Sequence, residues 1–196
     1  SRYREKMGAD APIFNASQGD GGDSLPGVPH DILDRAHELV KARGTSYDPP
    51  YGADAFRRAV AEQYWALDSA LGWGPANVLA TVGGRDALQK SYEAMIALGT
   101  GRVGDVVLVS RVPWISYNWG AYALGANVLL APGDESDAWQ LTEDGLTESV
   151  RFCERMGGRR IAGVVITSPD NPTGRTLSME RQVALGKHAL ALGVPF

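Results

Sequence analysis

Cysteine is almost missing from this sequence. Cys153 stands alone among 196 residues, which excludes a disulfide framework and a thiolate metal site. On a predicted helix face it reads as an inert thiol. Histidine is nearly as scarce, with three copies. His30 and His188 fall on predicted helix surfaces, away from any cluster of Cys, Asp or Glu, and read as solvated. No apolar run approaches the roughly 20 residues that a helix needs to cross a bilayer, and no basic-then-apolar leader opens the chain. We therefore expect a cytoplasmic protein without membrane association. An excess of positive charge is absent too. The 19 Lys and Arg against 23 Asp and Glu leave a formal charge of -4 and a pI near 5.4, with no basic cluster to serve as a footprint for nucleic acid. A small-molecule partner is expected instead. There is no internal repeat, low-complexity tract or long linker. What is present, 44% hydrophobic and 21% charged residues, is the composition of a soluble globular chain long enough to bury a core.

Short apolar runs alternate with helical patterns, which predicts an α/β class with a mostly parallel sheet flanked by helices. Residues 29–42 read as a helix, with Pro29 in its first turn, an apolar face of Ile32, Leu33, Ala36, Leu39 and Val40, and Gly44 at its end. Residues 53–71 repeat Phe56, Ala59, Val60, Tyr64, Leu67 and Leu71 at helical spacing, closed by Gly72 and Gly74. A strand is expected at 78–82, then a helix carrying Leu88, Tyr92, Met95 and Leu98. Strands follow at Val106–Val109, 127–131 and 161–166, with helices at 114–124, 144–156 and 178–192. A new strand begins after Gly193 and the chain opens on Ser1 without an initiator Met, so we read it as cropped or incomplete.

Three stretches carry chemistry. Thr167-Ser168-Pro169-Asp170-Asn171-Pro172-Thr173-Gly174 follows the strand at 161–166. Its prolines stop the strand, Gly174 frees the turn, and Ser178 can cap the next helix, so Asn171 is left as a polar amide at a strand end, aimed at a cleft. Thr81-Val82-Gly83-Gly84-Arg85 places glycines at a helix N-terminus, where unpaired N–H groups and the positive dipole end favour an anion and Arg85 adds a charge. The pattern is neither Gly-x-Gly-x-x-Gly nor a Walker loop, and paired glycines also make plain tight turns. Pro113-Trp114-Ile115-Ser116-Tyr117-Asn118-Trp119 follows the strand Val106–Val109, at the end of a parallel sheet where ligands bind, and offers an aromatic plane. Packing in a core or subunit interface is the other use of such tryptophans.

Taken together, the order and spacing of these motifs resemble the fold type I pyridoxal-phosphate enzymes, specifically the class I/II aminotransferases of the aspartate aminotransferase type, in their N-terminal half. Ser17-Gln18-Gly19-Asp20 resembles the family's N-terminal glycine loop. Tyr47-Asp48-Pro49-Pro50-Tyr51-Gly52 with Phe56-Arg57 resembles its Tyr-x-x-x-x-Gly segment. Ser168 to Gly174 is similar to its Asn-Pro-Thr-Gly motif. The resemblance implies that pyridoxal 5'-phosphate is held by Gly83, Gly84 and Arg85 at its phosphate, by Trp114 stacked on the ring and by Asn171 at the phenolic oxygen. Tyr47 would reach the phosphate of the neighbouring subunit's cofactor in a homodimer, and Gly19 would lie beside the substrate carboxylate. Residues 1–25 would be an N-terminal segment, part of the small domain and substrate loop, and 26–196 the first part of the large cofactor-binding domain.

The resemblance further implies amino-group transfer between an amino acid and a 2-oxo acid. The lysine that forms the imine and the aspartate that pairs with the pyridine nitrogen are expected after Phe196. Lys6, Lys41, Lys90 and Lys187 all lack the family's small-residue context for the imine lysine. No metal is expected, because Asp20 and Asp23 do not continue as a calcium loop. Another fold type I lyase or synthase, a cofactor-binding sensor module without catalysis and a Rossmann-like nucleotide binder are the other readings.

Overall fold

The structure is a computed structural model that describes residues 2–12, 26–44, 46–97 and 102–196. It divides into two compact units, Ser1–Pro49 and Pro50–Phe196. The first holds α1 (Arg2–Met7) and α2 (His30–Arg43). Pro29 precedes the first turn of α2, and Gly44, at φ 67°, closes it by donating to the Val40 carbonyl. The expected apolar face forms, but within this unit α2 buries none of its residues, and Ile32, Leu33 and Val40 are all more than half exposed.

The second unit is an α/β layer. Helix α3 (Asp54–Arg58) runs directly into a π-helical segment (Ala59–Tyr64), and α4 (Gly84–Ala97) leads to the alternation β1 (Val106–Val109), α5 (Ile115–Ala123), β2 (Asn127–Leu130), α6 (Glu143–Arg155), β3 (Ile161–Val165) and α7 (Met179–Ala191). The sheet is parallel in the order β2-β1-β3, with Val107 opposite Val128 and Gly163, and Val109 opposite Leu130 and Val165. Central β1 reads Val-Val-Leu-Val and is buried throughout, as a parallel strand covered on both faces should be. Its alternation sorts the core. Val106 and Leu108 pack with Leu146 and Cys153 of α6 and Leu185 and Ala189 of α7. Val107 and Val109 pack with Tyr92 of α4 and Ala121 of α5. Side-chain caps start the helices on the first face: Thr142 accepts from the Gly145 N–H at 3.0 Å and Ser178 from the Arg181 N–H at 3.2 Å.

Two expected elements differ. The helix read over 53–71 stops at Tyr64: Ala66 takes φ 46°, and Asp68 accepts from the Ala70 N–H at 2.9 Å to start a separate 3-10 turn, Ser69–Leu71. Asp and Ser bond their own backbone in competition with helix, and this competition overrides the apolar spacing of Leu67 and Leu71. The strand read at 78–82 does not form either. Its backbone bonds are isolated ones to turns and side chains, Val78 N–H to the Pro75 carbonyl at 3.2 Å, the Arg57 guanidinium to the Val78 carbonyl at 2.9 Å, Ala80 N–H to the Tyr51 carbonyl at 3.0 Å and Val82 N–H to the Asp86 carboxylate at 3.0 Å, and no described strand pairs with it. Beta-branched residues make a strand only where a neighbour completes the ladder. The chain after Gly193 does lie beside the sheet, with Val164 N–H donating to the Pro195 carbonyl at 3.0 Å. Leu98 lies outside the described residues.

Candidate functional site

Strands β1 and β3 are neighbours whose onward connections diverge. The chain leaves β1 through α5 toward β2 on one side, and leaves β3 through α7 toward Pro195 on the other. The carboxyl ends of two such strands frame the crevice where open α/β sheets take ligands. Trp114 stands at the end of the loop that leaves β1, directly before α5, and Asn171 is in the loop that leaves β3. Glycines 83 and 84 open α4, which packs on β3.

The glycine turn leaves open space at the start of α4. Gly83 sits at φ 84°, a left-handed conformation that favours glycine. A Cβ at Gly83 or Gly84 would meet no atom within 4 Å, so the space beside them is open. The Thr81 hydroxyl donates to the Gly83 carbonyl at 3.2 Å, and the Asp86 carboxylate accepts the Val82 N–H at 3.0 Å. The N–H groups of Gly84 and Arg85 have no acceptor among the described residues, as expected of the first turn of a helix. Arg85 places its guanidinium 5.3 Å from the Trp114 ring centroid, a cation–π contact that joins the anion turn to the aromatic loop.

Behind Trp114, the Tyr117 ring meets it edge to face at 5.6 Å and 80°. The Tyr117 phenol lies 2.6 Å from the Thr167 hydroxyl, and the buried Tyr92 phenol donates to the Tyr117 carbonyl at 3.1 Å. Burial pushes the Tyr92 phenol up to about 12, with Tyr117 nearby adding to the effect. A cleft of about 220 Å³ flanks this group, lined by Arg85, Leu88, Gln89, Ser116, Trp119 and Gly120. A cleft of about 260 Å³ opens among Val150, Glu154, Arg159 and Arg160. Arg160 precedes the first residue of β3, so that cleft lies at the amino end of the sheet, away from all three motifs.

Asn171 is exposed and makes no hydrogen bond among the described residues. Its loop is shaped by its neighbours. Asp170, 8% exposed, donates its N–H to the Arg175 carbonyl at 2.7 Å, takes the Gly174 N–H on its own carbonyl at 2.8 Å and the Thr173 hydroxyl on its carboxylate at 2.6 Å. Ser168 accepts the Leu177 N–H at 3.0 Å. The structure thus brings Arg85, at the start of α4 beside Gly83 and Gly84, against Trp114 beyond the carboxyl end of β1, and sets the Asn171 loop after the adjoining strand β3. Tyr47 is fully exposed in the first unit, and Gly19 lies outside the described residues. The donor set fits a phosphorylated aromatic ring: free amides and a cation for the phosphate, an indole for the ring and an unengaged amide for a ring oxygen.

Sequence reasoning missed Tyr117, Thr167, Asp86 and Asp170 as shapers of the site. Only Asp170 had a local signal, an Asx-type turn residue before Asn-Pro-Thr-Gly. The lysines show none of the burial that a nucleophilic amine needs. Lys41 and Lys90 pair with Glu38 at 3.0 Å and Glu93 at 3.1 Å, and Glu93 holds the Lys90 ammonium above the usual lysine range. Lys6 and Lys187 are exposed on α1 and α7.

The sequence profile of the family Aminotransferase class I and II matches residues 13–195. Aspartate aminotransferase of Geobacillus stearothermophilus is 28% identical over 188 residues, covering 96% of this chain and 42% of that one. Aspartate/prephenate aminotransferase of Thermus thermophilus is 28% identical over 163 residues, covering 83% of this chain and 39% of that one. Among solved structures, a Thermus thermophilus aspartate aminotransferase double mutant superposes with TM-score 0.71 at 25% identity over 85% of this chain and 40% of that one. An aminotransferase from Mycobacterium tuberculosis does so with TM-score 0.75 at 22% identity, covering 98% of this chain and 45% of that one. This chain, which spans about two fifths of the length of such relatives, belongs to the class I and II aminotransferase family.

Proposed function

We propose that the full-length protein is a pyridoxal-phosphate-dependent aminotransferase that moves an amino group between an amino acid and a 2-oxo acid, and that this chain supplies the cofactor cradle. The observation that carries the reading is the meeting of Arg85 with Trp114 at 5.3 Å. A residue of the anion turn at the start of α4 and a residue of the aromatic loop before α5 come together, and a phosphorylated ring would need both. When bound, the cofactor supplies an electron sink for the charge left at the amino acid's Cα.

The chain's own residues bind and orient. The Gly84 and Arg85 N–H groups would hold the phosphate, Gly83 would let it approach, and the Arg85 guanidinium would add a fixed counter-charge. The Trp114 indole would lie against the ring, and the Asn171 amide would donate to the phenolic oxygen from a loop kept in shape by Asp170. Tyr47 would reach the phosphate site of a neighbouring subunit in a homodimer, and Gly19 would lie beside the substrate carboxylate. Residues 1–25 would belong with the small domain, and 26–196 would form the first part of the large one. The imine-forming lysine would come from outside this chain. A cytoplasmic setting accords with the single thiol of Cys153, buried and held protonated by burial beside Asp105 and Glu154. Among the described residues no helix is long and apolar enough to cross a membrane.

Single-turnover reaction of the full-length protein with a panel of amino acids tests the reading. We expect a borohydride-sensitive visible chromophore, keto-acid formation, and cofactor affinity at least tenfold weaker in Arg85→Ala, the scale of a lost charge-assisted contact. Cofactor binding without keto acid would favour a lyase, synthase or sensor. A missing chromophore would overturn the cofactor assignment itself.

A further inference from the structure

We propose that Tyr117 is a positioning residue of the cofactor site, locking the stacking indole of Trp114 to the strand end from which the Asn171 loop departs. The inference rests on the reading of that site given above. Tyr117 lies in the first turn of α5, three residues after Trp114 at the helix N-cap, and its N–H donates to the Trp114 carbonyl at 3.0 Å. Its ring meets the indole edge to face at 5.6 Å. Its phenol oxygen reaches 50 residues along the chain to the Thr167 hydroxyl at 2.6 Å. Its carbonyl accepts the Tyr92 phenol at 3.1 Å, which fixes the same turn against α4.

Thr167 is the hinge point of this arrangement. It lies two residues beyond β3 and directly precedes Ser168, whose hydroxyl ties the loop back to the Leu177 N–H at 3.0 Å. One aromatic side chain therefore spans the two loops that frame the crevice. Ring packing alone would be served by phenylalanine. The partly buried phenol adds a directional bond between β3 and α5, and such a bond sets the angle at which Trp114 presents its face. Held this way, the stacking face and the amide of Asn171 keep a fixed relation before any ligand arrives, which is the preorganisation that lowers the cost of binding.

A double-mutant cycle in the full-length protein tests this, with cofactor affinity and the visible circular dichroism of the bound cofactor as readouts and the melting of the cofactor-free protein as a control. We expect Tyr117→Phe and Thr167→Val each to weaken cofactor binding about three- to tenfold, the range of one lost hydrogen bond. The double variant should be no weaker than either single one, and Thr167→Ser, which keeps the oxygen, should bind as the unaltered protein does. The dichroism should shrink in step with the affinity. Unchanged affinity and dichroism, with or without a lower melting temperature, would overturn the proposal, as would losses that simply add. If the unaltered protein binds no cofactor, the proposed function falls and this inference with it. If it binds and the variants match it, only this inference falls.

Discussion

Tyr92 shows how much one buried polar group decides. It has no accessible surface, and its folded phenol holds its proton up to about 12, whereas an unfolded tyrosine releases it near pH 10. The stability tied to neutral Tyr92 is therefore complete below about pH 10 and drains away as pH rises toward 12, on the order of 2 to 3 kcal/mol in all. Tyr92→Phe should cost about 1 kcal/mol at neutral pH, through the lost bond to the Tyr117 carbonyl, and should flatten the stability profile between pH 10 and 12. Denaturant unfolding of both proteins across that range checks it, and equal slopes would remove Tyr92 as the source. At this scale Gly83, Arg85 and Trp114 were legible because glycines before a helix and an aromatic after a strand are local signals. Tyr117 and Thr167 were not. Their bond spans 50 positions, and neither residue is unusual where it stands.

Among the elements, the crossing of α4 and α5 turns on Gly120. A Cβ there would lie 2.8 Å from two carbons of the Tyr92 ring and 3.0 Å from the Gln89 amide oxygen, so only glycine lets the helices approach this closely. Gly120→Val should destabilise by about 1 to 3 kcal/mol through overpacking and loosen the turn that carries Trp114, read as a lower denaturation midpoint. A midpoint equal to that of the unaltered protein would show that α5 shifts freely. Helices α2 and α4 to α7 and the strands β1 to β3 were readable from period and local signals, because residues such as Ser178 and Gly44 act on their own neighbours, whereas α1 (Arg2–Met7) was not read. The failures at 53–71 and 78–82 have a common cause. Periodicity records what a face would bury, while Asp68 and the lack of a strand partner among the described residues act on the backbone.

At the level of the whole second unit, a sheet has a working end and an anchoring end. At the amino end, Asp105 is 2% exposed and accepts the Arg102 N–H at 2.8 Å and the Arg160 N–H at 3.2 Å, tying the approaches to β1 and β3 together. The Arg102 and Arg160 guanidinium groups stand 3.9 Å away. Asp105→Ala would strand two partly buried donors and should cost about 2 to 4 kcal/mol. Because the carboxylate sits at the opposite end of the strands from Trp114 and Asn171, cofactor affinity in the full-length protein should stay within about twofold. A large loss of affinity at retained stability would break this separation of ends. The sequence by itself determined the α/β class, the alternation of elements and the three motifs, since these rest on interactions within a few residues. Only the tertiary structure decided which strands are neighbours, that Arg85 meets Trp114, and that Tyr117 bridges two loops. Those contacts depend on the order β2-β1-β3, and strand order is set by how distant faces bury one another rather than by any local pattern.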